Sequence, residues 1–595
     1  MTEVEDAMWE WSGPVEERNR PWRHSLSLNG GIGEQGIQQT PSSQPWREHG
    51  KSDISGGVHV LVCCCNEEEE ELKVMLSTFR SDKNFPCRVR LTFIVETPGY
   101  SPGDFTTRSE TYEVLKQLLR VEEETDNESF GDRGYIEHSG VLDKTFVTYD
   151  LIVKGPRMPR GKRSSLLVFF NEILPIKIAC GQAEEPDVVY ILDADSGHPE
   201  MGLMEVELMW RLLMSEPETA CLTCPVRPVN PFESLLASSQ YLEQAAVWDH
   251  VGESYFALQT TCRGAQCMLK YKCLVEDRRL AQPPRGEGAM PPVLDSLDKT
   301  AAAIPSLILL DTSPSEGLLV LLRQRRFDVR SCGLVDAVTC VPNSWLEFYA
   351  QRRRWYAGSL VAVLSSLRGK ETYVECARNR WIASIYALVF NVHLHSGLVF
   401  LPVLLAKGIF RIARHIDRSD PDSSTAFGVG DAAFEWRVFA MVWAFLVVNV
   451  ALYVNMSHKQ LWMWINVSSV LWMLLCLAVL VGSAFAVTPL IILAVVLVPL
   501  IVGGLNFARG SLSTWACLAL SAIPYVLITA VHSVLVLLYA LSTLDSTEWG
   551  TRDVGAFDSG VIRSRARRMQ RDTWAILVLV IAASAGVGVL VRGKK

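Results

Sequence analysis

Asp193 and Asp195 flank a single alanine directly after the apolar run Val188 to Leu192. Side chains alternate along an extended backbone, so both carboxylates face one side of the chain just past a strand end. Two carboxylates so placed can hold a hard divalent cation such as Mg2+ or Mn2+, and such a cation neutralises a diphosphate as it leaves. Taken alone, the triplet also looks like a solvated acidic turn after a strand. Its meaning therefore depends on its neighbours. Gly161-Lys162-Arg163-Ser164-Ser165 precedes an expected helix, and its amides and two cations could engage phosphate. The segment lacks the glycine spacing of a P-loop, which argues against a kinase or ATPase. An exposed basic turn would read the same way.

Gln351-Arg352-Arg353-Arg354-Trp355 is the most informative cluster. Its arginines could simply be the positive flank of a membrane segment. Alternatively, Arg352, Arg353 and Arg354 stabilise a diphosphate while Trp355 offers its ring to a sugar. The order along the chain favours the second reading. A strand-end acidic triplet, an arginine cluster with an aromatic, and then membrane helices form the order required of a site that opens into its own channel.

The elements around these residues follow from hydrophobic patterning. A strand is expected over Val58 to Cys65, a helix over Leu72 to Phe79, a strand over Arg90 to Glu96 and another over Val188 to Leu192. Strands alternating with helices imply a mostly parallel α/β sheet, whose ligands bind at the carboxyl ends of the strands. Asn66-Glu67, Glu96 and Asp193-Ala194-Asp195 all stand at such ends. Residues 1–56 mix Gly, Ser, Gln, Pro and charge without an apolar period and are expected to be a disordered arm with no signal-peptide core. The region 57–345 is read as the cytosolic catalytic domain, 346–380 as interface helices and 381–595 as a transmembrane channel region. Within the last region, apolar runs at Trp381 to Leu405, Phe434 to Val454, Leu461 to Ala486, Thr488 to Leu505, Leu512 to Leu541 and Trp574 to Val591 mostly reach the length that spans a bilayer. Lys407, Arg411, Arg414, Arg418 and Arg437 flank the loop that follows the first of these, and Arg563, Arg565, Arg567 and Arg568 flank the last segment. Both sets can be cytosolic only if the first segment, with its Asn391, His393 and His395, lies in the interface or re-enters.

The bulk numbers exclude other classes. A net charge of -8 over 595 residues gives no basic face for nucleic acid. Fifteen cysteines, irregularly placed, are too few for a secreted disulfide scaffold. Cys221 and Cys224 form a C-x-x-C without a second pair and are read as strand-end residues; Cys63, Cys64 and Cys65 are read as small apolar strand residues.

Together these motifs resemble the chitin synthases, inverting family-2 processive glycosyltransferases with a GT-A-type α/β domain followed by an α-helical transmembrane domain. The resemblance runs from about Val58 to Arg552. It implies that Asn66, Glu67, Glu96, Lys162, Arg163 and Asp193 bind a UDP-sugar donor, with Glu96 where an Asp is usual. It implies that Asp193 and Asp195 hold the metal, and that Gln240, Glu243, Gly264 and Trp355 meet the acceptor. Leu242 replaces a Phe in the Gln-x-Phe-Glu stretch, and Arg263-Gly264-Ala265 stands where Pro-Gly-Ala is usual. Glu548-Trp549-Gly550-Thr551-Arg552 resembles a motif particular to chitin synthases and absent from cellulose and hyaluronan synthases. The general base is expected on Glu-Asp-Arg before the arginine cluster. Glu276-Asp277-Arg278 has those letters but lies far upstream of Gln351, while Glu316 has the better spacing, so Asp277 and Glu316 both stand as candidates. The implied activity is transfer of N-acetylglucosamine from UDP-N-acetylglucosamine to a growing β-1,4 polysaccharide, with translocation across what is expected to be the plasma membrane. The implied partners are that donor, the polymer and the lipid bilayer, without nucleic acid, and a homodimer is compatible with this reading. A hyaluronan- or cellulose-like synthase and a catalytically inactive membrane scaffold are the rivals.

Overall fold

The computed structural model describes residues 57–65, 67–79, 88–96, 109–121, 135–142, 145–155, 158, 161–199, 201–217, 219–245, 266–275, 318, 322, 327–355, 401–414, 432–455, 458–483, 500–501 and 512–542. Its first part is built on an eight-stranded sheet in the order β10-β7-β9-β5-β1-β2-β4-β3. The strands are β1 (Val58–Cys64), β2 (Val89–Val95), β3 (Tyr135–Val141), β4 (Thr148–Lys154), β5 (Val188–Asp193), β7 (Thr219–Thr223), β9 (Gln266–Lys270) and β10 (Asp328–Ser331). β1 is central and buried on both faces, which is why it reads as a mostly apolar run rather than an alternating one. The neighbours of β1, namely β2 and β5, run parallel to it, as do β4 to β2 and β10 to β7. β3 and β9 run antiparallel to their neighbours, so the sheet is mixed around a parallel centre.

Helices cover both faces. On one face α1 (Glu69–Ser77), α2 (Glu110–Leu119) and α5 (Leu203–Ser215) bury Leu72, Met75, Leu115, Val206 and Met209 against Val60, Val62, Leu91 and Phe93. On the other, α3 (Lys162–Val168), a π-helical turn at Phe169–Ile173 and α4 (Leu174–Ala179) bury Phe169, Phe170 and Leu174 against Leu61, Ile94 and Ile191. Alternate residues of one strand thus enter two different cores, as the two-residue period of a strand requires. α1 begins three residues earlier than the apolar pattern suggests. Its first turn is Glu69, Glu70 and Glu71, which favour the positive end of the helix dipole, and the Glu71 carboxylate accepts from the Glu68 amide at 2.9 Å.

A smaller sheet, β6 (Ser196–Gly197), β11 (Ala337–Thr339) and β8 (Val226–Pro228), lies beside the end of β5. α6 (Leu235–Ala245) and α7 (Tyr271–Val275) complete the part before the helix at 345–355, here α8. Beyond a helix at 401–414, α9, come α10 (Ala432–Asn455), α11 (His458–Ser483) and α12 (Leu512–Val531), which a π-helical turn, His532–Val536, joins to α13 (Leu537–Ser542).

Three helices among the described residues are long and apolar enough to cross a membrane: Ala433–Tyr453, Gln460–Val479 and Trp515–Ala540. They coincide with three of the six expected segments. Of the others, 381–400, most of 488–505 and all of 574–591 lie outside the described residues. Met441, Val447, Met463 and Leu520 are exposed on these helices, as suits surfaces that face lipid rather than water. The helices also bury a shared core, in which Val442, Trp443, Leu446, Ile465, Trp472, Ile528 and Leu535 meet Phe348 and Tyr349 of α8.

Candidate active site

Strand register alone gathers the first site residues. Cys64 of β1 lies beside Val95 of β2, Cys63 beside Asp193 of β5, and Val95 beside Val153 of β4. Glu67, Glu96, Lys154, Asp193 and Asp195 are therefore brought to one edge, the carboxyl end of the parallel centre, where ligands bind α/β sheets. Glu67 folds back so that its carboxylate accepts from the Cys65 amide at 2.5 Å, and Thr111 at the start of α2 donates to the Glu67 carbonyl at 3.2 Å. Asn66, between them, lies outside the described residues.

Glu96 is 3% exposed and its Oε1 accepts from Lys154 Nζ and from Ser165 Oγ, each at 2.7 Å. Lys154 also reaches Ser164 Oγ at 3.1 Å. Burial lowers the Lys154 pKa, and the Glu96 carboxylate only partly restores it. The Glu96 Oε2 has no hydrogen-bond partner among the described residues. Lys154 was not expected at the site from the sequence. A lysine directly after the apolar run Leu151–Val153 is the signal that could have marked it, since a buried lysine requires a carboxylate partner.

Gly161 adopts φ +94°, a conformation that favours glycine, and lets α3 begin at Lys162. The Gly-Lys-Arg-Ser-Ser segment is thus the first turn of the helix rather than a turn ahead of it. Lys162 Nζ donates to Asp193 Oδ1. Burial works against the Lys162 ammonium, but the Asp193 carboxylate outweighs it and holds the pKa above the ordinary lysine value. Arg163 sits in the same turn.

Asp195 is half-buried at the start of the small sheet. Its Oδ1 accepts from Ser196 Oγ at 3.0 Å and its carbonyl accepts from the Cys340 amide at 3.0 Å. Burial, together with the carboxylates of Asp195, Glu71, Glu233 and Glu68, pushes the Cys340 thiol up to about 12. Below the triplet, Tyr190 on β5 and His198 past β6 meet at 2.6 Å, His198 Nδ1 lies 3.1 Å from the Asp336 carbonyl, and the His198 amide donates to Thr78 at 2.7 Å. This buried bridge spans the triplet and fixes its ends.

From Cys340 the chain leads to the second cluster. Gln240 on α6 donates from Nε2 to the Pro342 carbonyl at 2.9 Å. Arg352 on α8 donates from Nη2 to Glu243 at 2.5 Å and lies within 3.4 Å of Gln240 Oε1. Its guanidinium is sandwiched at 4.7 Å from the Phe348 ring and 4.0 Å from the Trp355 ring. Gln240 and Glu243 are thereby brought together with Gln351, Arg352 and Trp355 across more than a hundred residues of sequence.

Of the three arginines expected to face a diphosphate, Arg352 is 1% exposed and pairs with Glu243. Arg353 is buried, Arg354 half-buried and Trp355 exposed. Gly264, Asp277, Glu316 and the Trp549 to Arg552 motif lie outside the described residues. Among the described residues no three of His, Cys, Asp and Glu are grouped to hold a metal ion. Asp193 Oδ1 accepts from Lys162 and Asp195 Oδ1 from Ser196, at the edge where Mg2+, which typically takes one or two protein carboxylates and completes its shell with water and substrate phosphate, would find two of them.

No family model matches the sequence. A chitin synthase of Meloidogyne artiellia is 31% identical over 110 residues, which are 18% of this chain and 6% of that protein. The chain thus spans a small fraction of the length of that relative. Among solved structures, mannosyltransferase PcManGT from Pyrobaculum calidifontis in complex with GDP-Man and Mn2+ is 13% identical at a TM-score of 0.31, over 79% of this chain and 86% of that one. S. aureus TarS 1-349 in complex with UDP-GlcNAc is 11% identical at a TM-score of 0.24, over 54% and 69%. On its own coordinates, the chain is a mixed α/β sheet domain with a polar carboxyl edge, packed through α8 against apolar helices long enough to cross a membrane.

Proposed function

We propose that the protein is a membrane-bound, processive, inverting glycosyltransferase of chitin synthase type, which transfers N-acetylglucosamine from UDP-N-acetylglucosamine to a growing β-1,4 polymer. The observation that carries the reading is the series of contacts Lys162–Asp193, Asp195–Cys340, Pro342–Gln240 and Gln240–Arg352, linked along the chain at 193–195 and 340–342, which ends on a helix packed against membrane helices. The local similarity to a chitin synthase agrees with it in substrate class.

In this reading Asp193 and Asp195 hold Mg2+ or Mn2+, whose positive charge would stabilise the departing diphosphate. Lys162 balances Asp193, so the edge keeps its shape before the donor enters, and Arg163, Arg353 and Arg354 are the cations assigned to the donor phosphates. Asn66, Glu67 and Glu96 are assigned to the nucleoside part of the donor. Gln240, Glu243 and Gly264 are assigned to the acceptor, with the free face of Trp355 as the surface on which its terminal sugar rests. Asp277 or Glu316 takes the proton from the acceptor hydroxyl, and inversion follows from its attack opposite the leaving UDP. The domain ahead of α9 would lie in the cytosol, and the polymer would leave through the helices after it.

The test uses full-length protein in lipid nanodiscs with radiolabelled UDP-N-acetylglucosamine and Mg2+ or Mn2+. Chitinase-sensitive polymer that disappears in Asp195→Asn is the expected result. UDP release with a chitinase-resistant product points to a hyaluronan- or cellulose-like synthase, and folded protein silent with every UDP-sugar points to a scaffold. Asp277→Asn and Glu316→Gln separate the two candidate bases.

A further inference from the structure

The second cluster contains a residue that belongs to neither motif. His532 opens the π-helical turn that follows α12, inside an apolar stretch long enough to cross a membrane. Its Nδ1 lies 3.7 Å from Glu243 Oε1, while the other oxygen of the same carboxylate accepts from Arg352 at 2.5 Å. Its ring meets Phe348 edge-on, with centroids 5.6 Å apart. Glu243 is therefore hydrogen-bonded to α8 on one side and packed beside the imidazole of a membrane helix on the other.

The surrounding packing explains how an imidazole reaches this place. α12 lies along α6, with Leu518, Ala522 and Tyr525 packed on Tyr241, Leu242 and Ala245. These positions recur at four and three residues, which is one stripe of a helix, and a further seven residues return to that stripe at His532. A π-helical turn begins there, and such single turns are frequent at functional sites. A polar ring in an apolar span is costly unless it faces protein. His532 does so, on the face that already touches α6.

We infer that His532 is a positioning residue for the acceptor side of the proposed site, fixing Glu243 and through it Arg352 and the Trp355 ring. Gln240 lies one turn from Glu243 on α6 and accepts from the same Arg352 nitrogen, and Arg352 lies over the Trp355 ring, 4.0 Å from its centre. A shift of the membrane helix at His532 moves Glu243, and the charge on Glu243 moves the guanidinium that covers one face of Trp355. The membrane part thus sets the orientation of the aromatic ring assigned to the acceptor sugar. This inference rests on the proposed transferase reading for its kinetic consequence but not for its structural one.

The test is His532→Leu and His532→Gln in full-length protein in nanodiscs, with two readouts. With UDP-N-acetylglucosamine and an oligosaccharide acceptor, His532→Leu is expected to raise the acceptor KM about tenfold, within the range of coupling found between residues in contact. The donor KM stays within about twofold, and His532→Gln, which keeps a hydrogen-bonding edge, recovers most of the loss. In the Glu243→Gln background, which already loses the Arg352 pair, His532→Leu is expected to raise the acceptor KM by less than it does in the wild type, because part of its effect passes through Glu243. An unchanged acceptor KM, or donor and acceptor KM rising together with a lowered Tm, would overturn the assignment. The second readout is amide hydrogen exchange across 235–245 and 345–355, which should quicken in His532→Leu whether or not the wild type turns over a UDP-sugar. Unchanged exchange in both segments overturns the linkage even if activity is present, whereas faster exchange in an inactive wild type sinks only the transferase reading.

Discussion

Arg352→Lys is the sharpest probe of the second cluster, because it keeps the charge and removes the planar fork. In the structure Arg352 is 1% exposed, donates to Glu243 at 2.5 Å and to Gln351 at 2.6 Å, and lies 4.0 Å from the Trp355 ring centre. A hydrogen bond to a charged group contributes about 1.5 to 3 kcal/mol, and a desolvated cation on an aromatic face about 2 kcal/mol. A lysine ammonium keeps part of the Glu243 contact but loses the stacking and the second donor, so the net loss should be near 3 kcal/mol. At about 1.4 kcal/mol per decade this is roughly a hundredfold in acceptor kcat/KM. Initial rates of UDP release, measured against acceptor concentration in nanodiscs, give the number, and a Tm close to wild type shows that the fold survives. A variant within about threefold of wild type would refute the idea that the cluster shapes the acceptor site.

Acid sensitivity should come partly from two buried histidines outside the membrane helices. Burial lowers the pKa of His59 to about 3 and that of His198 to about 4, from 6.5. Both stay neutral when folded, so their contribution is complete above pH 6.5 and is lost as pH falls towards 4 and 3. At pH 5 each should have cost about 2 kcal/mol, and His59→Gln should flatten the acid limb of a Tm-versus-pH curve. Glu96→Gln leaves the Lys154 ammonium buried without its carboxylate and should cost about 3 kcal/mol or more, read as a lower urea midpoint; an unchanged midpoint would show the pair to be solvated. Gly197→Ala would bring a methyl group to 2.8 Å from both the Val74 carbonyl and Thr78 Oγ1, and should destabilise by about 1 to 3 kcal/mol by the same measurement. Iodoacetamide at pH 8 should label exposed Cys180 well before Cys340, whose thiol is held protonated; peptide mass spectrometry would show the reverse order if that reasoning fails.

Several features were legible in the sequence because they depend on local pattern. The mostly apolar runs of β1, β2 and β5, broken only by His59, Arg90 and Thr92 ahead of their polar ends, identify central parallel strands, and the polar residues that follow them land at the carboxyl edge whatever the rest of the chain does. Uninterrupted apolar length likewise marks α10, α11 and α12 as helices able to span a membrane. Partnership was not legible. Three consecutive arginines look alike in sequence, yet packing turns Arg352 inward onto Glu243, more than a hundred positions away. Lys154 and His532 carry no motif at all, and each matters only because register or helix packing sets it beside a carboxylate. Periodicity and strand ends are properties of neighbouring residues, so the sequence holds them; the pairing of buried charges depends on which distant groups share a desolvated space, and only the tertiary structure decides that.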